Sequence, residues 1–200
     1  MINQEYFVIE SGGSNNYPLL EWADGEDLYG PLARSAAKGV PLPIDRSLKL
    51  RLGAPVPAKP EMVDYHELPE PVVGERIKNL LEAMAIYGTQ LIPANIPVED
   101  EIYHYWLLHV FNEISCLDKD KSICAYSKRG RVIDIKKLVL DENILQEIPL
   151  EKRLIFVLRE STSTYLFHRS IKEAIMSLDP APKGMQFFCA DSWGSDAVFR

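Results

Sequence analysis

The first apolar run, Tyr6-Phe7-Val8-Ile9, predicts an N-terminal strand, stopped by the polar loop Ser11-Gly12-Gly13-Ser14-Asn15-Asn16. At Leu48–Leu52 apolar residues alternate with basic ones, the period-two pattern of a half-buried strand. The period then lengthens. Ile77, Leu80, Leu81, Met84 and Ala85 recur three and four apart and predict a helix, with Gly88 as its C-terminal cap. Thr89–Pro93 reads as a strand ended by proline, and Tyr103–Ile114 as one long strand dense in aromatic and β-branched residues. Val132–Ile135 and Leu138–Leu140 predict a hairpin arm and its continuation. Leu154–Leu158 is a buried strand and Tyr165–Phe167 a short one. Ile171, Ala174, Ile175 and Leu178 place a second helix over Ser170–Leu178, and Met185–Cys189 closes the pattern as a strand. Strands outnumber helices without alternating regularly with them, which predicts an α+β fold: mostly antiparallel sheet with two principal helices, in a single domain over residues 1–200.

One region breaks the pattern. From Glu21 to Pro71 prolines stand at positions 31, 41, 43, 55, 57, 60, 69 and 71, which excludes a long helix. So long a stretch is not a bare loop in a compact domain. It reads as a proline-rich N-terminal wrap over the core, pinned by Leu20, Trp22, Leu28, Tyr29 and Leu32.

Composition is that of an ordinary globular chain, with 46% hydrophobic residues and no apolar run near the ~20 residues that span a bilayer. The N-terminus, MINQEYFVIE, lacks the basic and apolar regions of a signal peptide, and three cysteines, an odd number, suit a reducing compartment, so a cytoplasmic location is expected. The net charge of −7 is unevenly spread. Residues 1–101 carry 16 acidic and 8 basic side chains (net −8), leaving 13 acidic and 14 basic (net +1) in residues 102–200. With no basic stripe, direct nucleic-acid binding is not expected, whereas a basic protein partner is allowed.

Candidate chemistry adds little. In Cys116-Leu117-Asp118-Lys119-Asp120-Lys121-Ser122-Ile123-Cys124 the oxygens of Asp118, Asp120 and Ser122 mimic the start of a calcium loop. Its glycine position is Ile123 and its bidentate glutamate position is Arg129, so the loop fails as a calcium site. The two cysteines fit neither a C-x-x-C redox pair nor a zinc knuckle, leaving a polar turn in which Asp118 and Ser122 bond their own backbone. His104 and His109 lie five apart on one expected strand and so point to opposite faces, while His66 falls in the wrap and His168 before the last helix. There is no G-x-S-x-G elbow and no phosphate loop. No catalytic, cofactor or metal residue is assigned.

The order of these elements carries a resemblance. It runs from Tyr6–Ile9 through Leu20-Glu21-Trp22, the Gly-x-Pro-Leu-Pro at Gly39–Pro43, Leu48–Leu52, Asp64 and the first helix, to Leu91-Ile92-Pro93 and Pro97-Val98. Its centre is Tyr105-Trp106-Leu107-Leu108-His109-Val110 leading into Cys116–Ser122, and it ends with Ile155–Leu158, the Ile171–Leu178 helix and Gly184-Met185-Gln186-Phe187. In this order the chain resembles the immunity proteins of bacterial polymorphic-toxin systems typified by a myxobacterial member. The resemblance implies a cytoplasmic antidote, not an enzyme, which binds a cognate secreted or contact-delivered toxin. A nuclease is the favoured target on charge grounds. An interface of that kind needs aromatic anchors and a complementary field. Trp22, Tyr29 and Tyr65 are the candidate anchors, and Glu21, Asp24, Glu26 and Asp27 the candidate acidic face. The alternatives are a small hydrolase or transferase with a site under the proline-rich segment, using His104 or His109, and a binding module with no toxin.

Overall fold

The computed structural model describes residues 2–26 and 39–195. Thirteen strands form two large sheets and a separate ribbon, confirming an α+β fold. The first sheet has the order β13-β1-β12-β11-β8: Met185–Cys189, Tyr6–Ser11, Ser161–His168, Ile155–Leu158 and Glu113–Ile114. The second has the order β2-β3-β6-β7-β5-β4: Leu20–Trp22, Leu48–Leu52, Thr89–Val98, Glu101–Val110, Val72–Val73 and Tyr65–His66. Among the described residues only β11–β8 and β3–β6 pair in parallel. The ribbon joins β9 (Ile123–Tyr126) to β10 (Val132–Lys137) and pairs with neither sheet.

Side-chain alternation explains the layering. On β11 Ile155 and Val157 face one way into a core shared with the second sheet, and Phe156 and Leu158 face the other way into a separate core. On β7 Leu108 and Val110 enter the shared core, while Tyr105 and Leu107 enter a third cluster with Leu20, Leu48, Leu50 and Ile96. Both sheets are therefore covered on both faces. Helices α1 (Glu75–Ala83) and α3 (Arg169–Met176) close the shared core with Ile77, Leu81, Ile171 and Ile175.

Four sequence expectations are corrected. The first helix ends at Met84, not Gly88: Ala85 takes the left-handed conformation (φ 48°), and Gly88 (φ 71°) opens the turn into β6. The strand expected to end at Pro93 runs on to Val98, because β3 pairs with it only at Ala94 and Asn95. On either side of that contact β6 has an open edge, where proline costs no ladder bond. The long strand expected over Tyr103–Ile114 is two strands. It breaks at Phe111–Asn112, where the chain leaves the second sheet and enters the first as β8. Asn112 holds this crossing: its side-chain amide donates to the carbonyls of Lys152 (2.9 Å) and Ile155 (3.0 Å), and its own carbonyl accepts from Val157 N–H (2.9 Å). A third helix, α2 (Glu142–Glu147), was not expected; Asp141 caps it by accepting from the Asn143 and Ile144 amides.

The described part of the proline-rich region is built into the core. Leu42, Leu48, Leu50, Val63 and Tyr65 are buried. Leu28, Tyr29 and Leu32 lie outside the described residues. Gln90 clamps the main chain of Leu42 twice, accepting its N–H (2.8 Å) and donating to its carbonyl (3.0 Å). Tyr105 donates its hydroxyl proton to the Val63 carbonyl at 2.7 Å.

Candidate partner-binding surfaces

Of the acidic residues singled out in the sequence, Glu21 lies on the edge strand of the second sheet, and Asp24 and Glu26 follow it closely in the chain. Glu21 sits on β2 directly opposite Arg51 on β3, and the two side chains pair at 3.0 Å. Arg51 also reaches Asp24 (3.4 Å), and Arg46 holds Glu26 at 2.7 Å, leaving that carboxylate side chain only 7% exposed. Among these described groups three carboxylates are met by two guanidinium groups, so the local field is weaker than the residue count alone suggests. Asp27 and Tyr29 lie outside the described residues. Trp22 is half-buried against the third core cluster, and its indole N–H has no hydrogen-bond partner among the described residues. Tyr65 must be corrected. At 2% exposure it fills the core between the sheets and offers no ring to a partner.

The histidines are held by structural contacts. His66 is buried with Nδ1 3.1 Å from the Pro18 carbonyl, so that nitrogen carries the ring proton. Desolvation pushes its pKa down to about 4, keeping the ring neutral. His109 stands opposite Gln90 in the β6–β7 register and bonds the Val40 carbonyl at 3.1 Å, so the two cross-strand neighbours grip one stretch of the wrap. His104 pairs with the side chain of Asn95 at 2.9 Å. His168 caps α3, its Nδ1 accepting the Ser170 amide. Among the described residues no group of three or more His, Cys, Asp and Glu is arranged to hold a metal ion. Cys116, Cys124 and Cys189 are free thiols, and burial pushes the Cys116 thiol well up.

The Cys116–Cys124 stretch is a turn. Asp118 accepts the amides of Asp120 (3.2 Å) and Lys121 (3.1 Å), and Lys121 Nζ pairs with its other oxygen at 2.8 Å. The Ser122 amide donates to the Asp118 carbonyl at 2.9 Å, but its hydroxyl leaves its own segment. It bridges instead to Val139, donating to the carbonyl and accepting the N–H, each at 3.0 Å.

One large concavity was not legible in the sequence. It is a groove of about 1160 Å³ between the β9–β10 ribbon, the β12 face and the β7 end of the second sheet. Leu107, Val110 and Val157 contribute to its lining, which carries six carboxylates against three cationic side chains. Glu10 accepts the Trp193 indole N–H at 2.9 Å, and Glu67 accepts both the amide (2.9 Å) and hydroxyl (2.7 Å) of Ser11. Burial, then the neighbouring Glu67 carboxylate, push the Glu10 carboxyl up to about 7.

Residues 43–191 match the family model described as "Immunity protein family (Imm11)". The chain belongs to this immunity protein family. The match spans the described sheets from β3 to β13, including the ribbon and most of the groove, and begins beyond the acidic edge at Glu21–Glu26. No curated protein matches the chain in sequence. Among the described residues no helix is long and apolar enough to cross a membrane.

Proposed function

We propose that this immunity protein neutralises a cognate toxin domain by stoichiometric binding in the cytoplasm of the producing or sister cell, without catalysis. The family match over residues 43–191 carries this reading. The histidines support it, since His66, His104, His109 and His168 each serve a structural hydrogen bond. A toxin that cleaves nucleic acid, which binds a polyanion through a positively charged surface, suits a chain of net charge −7. In this reading Glu21, Trp22, Asp24 and Glu26, with Asp27 and Tyr29, contribute to the encounter surface, and their partial neutralisation by Arg46 and Arg51 makes that contribution modest.

The test is co-expression with the toxin domain encoded beside this gene, with purified proteins mixed and resolved by size-exclusion chromatography. Protection of the cell together with a stoichiometric complex is expected. Protection without any complex, abolished by a single histidine change in a folded protein, would instead mark an enzyme.

A further inference from the structure

A ribbon of two strands is marginal when nothing packs on it, and its open edges and faces invite a partner. The β9–β10 ribbon has irregular registers at Val132–Asp134 and Ile135–Lys137. Ile135 anchors the ribbon in a core and Val132 packs against the same core, but two further apolar side chains stay uncovered: Tyr126 and Ile133 line the groove yet remain 45% and 67% exposed. The opposing wall has the reverse character. Glu10 and Glu67 approach closely enough to hydrogen-bond, and neither is in an ion pair among the described residues. Glu160, on the same lining, uses one oxygen to accept from Ser115 (2.5 Å) while its Oε2 is buried with no hydrogen-bond partner among the described residues.

We propose that this groove is the docking site for a lysine- or arginine-bearing segment of the toxin domain, its cations meeting Glu10, Glu67 and Glu160 and its apolar side chains covering Tyr126 and Ile133. The inference rests on the immunity reading above and names the surface that would serve it. Charge complementarity selects the occupant. Half-burial beside Glu67 disfavours the charged form of Glu10, and a cation supplied from outside offsets that cost and makes charge-assisted bonds with the pair. The acidic edge at Glu21–Glu26 lacks this need, since Arg46 and Arg51 already meet it. Size points the same way. At about 1160 Å³ the groove exceeds the usual range for small-molecule pockets and suits a polypeptide segment. Contacts there are the desolvated ones and set the dissociation rate, while the acidic edge acts on the association rate.

The experiment measures association and dissociation rates between the full-length immunity protein and a catalytically inactivated form of the adjacent toxin domain. Glu10→Gln/Glu67→Gln keeps the acceptors used by Trp193 and Ser11 while removing both charges, and Ile133→Asp alters an exposed apolar side chain. Each is expected to speed dissociation at least tenfold, whereas Glu21→Lys/Asp24→Lys changes dissociation less than threefold. Wild-type dissociation rates in both groove variants would overturn the docking site and leave the immunity reading standing. Failure of the wild-type protein to bind the toxin domain at all would sink both. Should a variant lose its fold, hydrogen exchange on the wild-type complex decides: slowed exchange at residues 123–137 supports the site, and unchanged exchange there refutes it.

Discussion

Gly88→Ala is expected to destabilise the protein by about 2–5 kcal/mol. Two contributions combine. Gly88 has φ +71°, in the left-handed region, which costs an L-residue about 1–2 kcal/mol. A methyl group there would also lie 2.3 Å from Cβ and 3.1 Å from Cα of Asn112, so the crossing between the sheets must shift. Overpacking of this kind costs about 1–3 kcal/mol. The Gly88 carbonyl also accepts the amides of Phe111 (2.9 Å) and Asn112 (3.2 Å), so that shift strains the bonds that start β8. Gly130→Ala is the matched control, because Gly130 has φ +74° but nothing within 4 Å of an added Cβ. It should lose only the conformational part, about 1–2 kcal/mol. Urea unfolding followed by circular dichroism, with slopes compared to exclude a changed denatured state, gives both values. Equal losses in the two variants would refute the argument that the Gly88–Asn112 approach limits the fold.

Replacing Asn3 with leucine should cost about 2–4 kcal/mol in the same assay, since it strands both the N–H (2.7 Å) and the carbonyl (3.0 Å) of buried Leu140. Buried His66 and half-buried Glu10 shape the pH profile in opposite senses. The Glu10 carboxyl is raised from 4.5 to about 7 on folding, so the native state holds more protons in that window and stability falls as pH rises from about 4.5 to 7. Its neighbours there are Glu67 and Trp193, and Glu10→Gln should flatten that limb by about 1–2 kcal/mol, solvent screening holding the effect below its full value. His66, lowered from 6.5 to about 4, makes the unfolded state the better proton acceptor, so stability rises with pH between about 4 and 6.5. Thermal melts from pH 4 to 8 test both; a Glu10→Gln profile identical to wild type would contradict the first.

How much was legible depended on whether the signal was local. β3, β13 and β11 were readable because each is a short run of apolar residues with the right period and clear borders. Helix α2 was not: with six residues and Leu145 alone buried, it has no periodicity to detect, and its mark is the Asp141 cap. The strand switch at Asn112 is invisible for a different reason, since Phe111–Ile114 continues the apolar pattern and only the distant carbonyls of Lys152 and Ile155 turn it. Tyr65 was misassigned because an aromatic between acidic residues looks like an anchor, while its burial is decided by α1, β7 and β12. The groove draws Glu10, Glu67 and Glu160 from three separate segments, so no window of the sequence contains it.

The placement of β1 has a consequence for timing. Tyr6–Ser11 is sandwiched between β12 and β13, with Tyr6 beside His168 and Phe7 beside Cys189. β1 must wait for β12 and β13, which are made about 150 residues later, so the first sheet cannot close until they have emerged. At about 5–20 residues per second, the roughly 150 residues from β1 to β12 take about 8–30 s to synthesise. If the protein acts as proposed above, a chain ordered this way gives no cover until those strands have emerged. A cell that relies on it must keep a folded reserve before the toxin arrives.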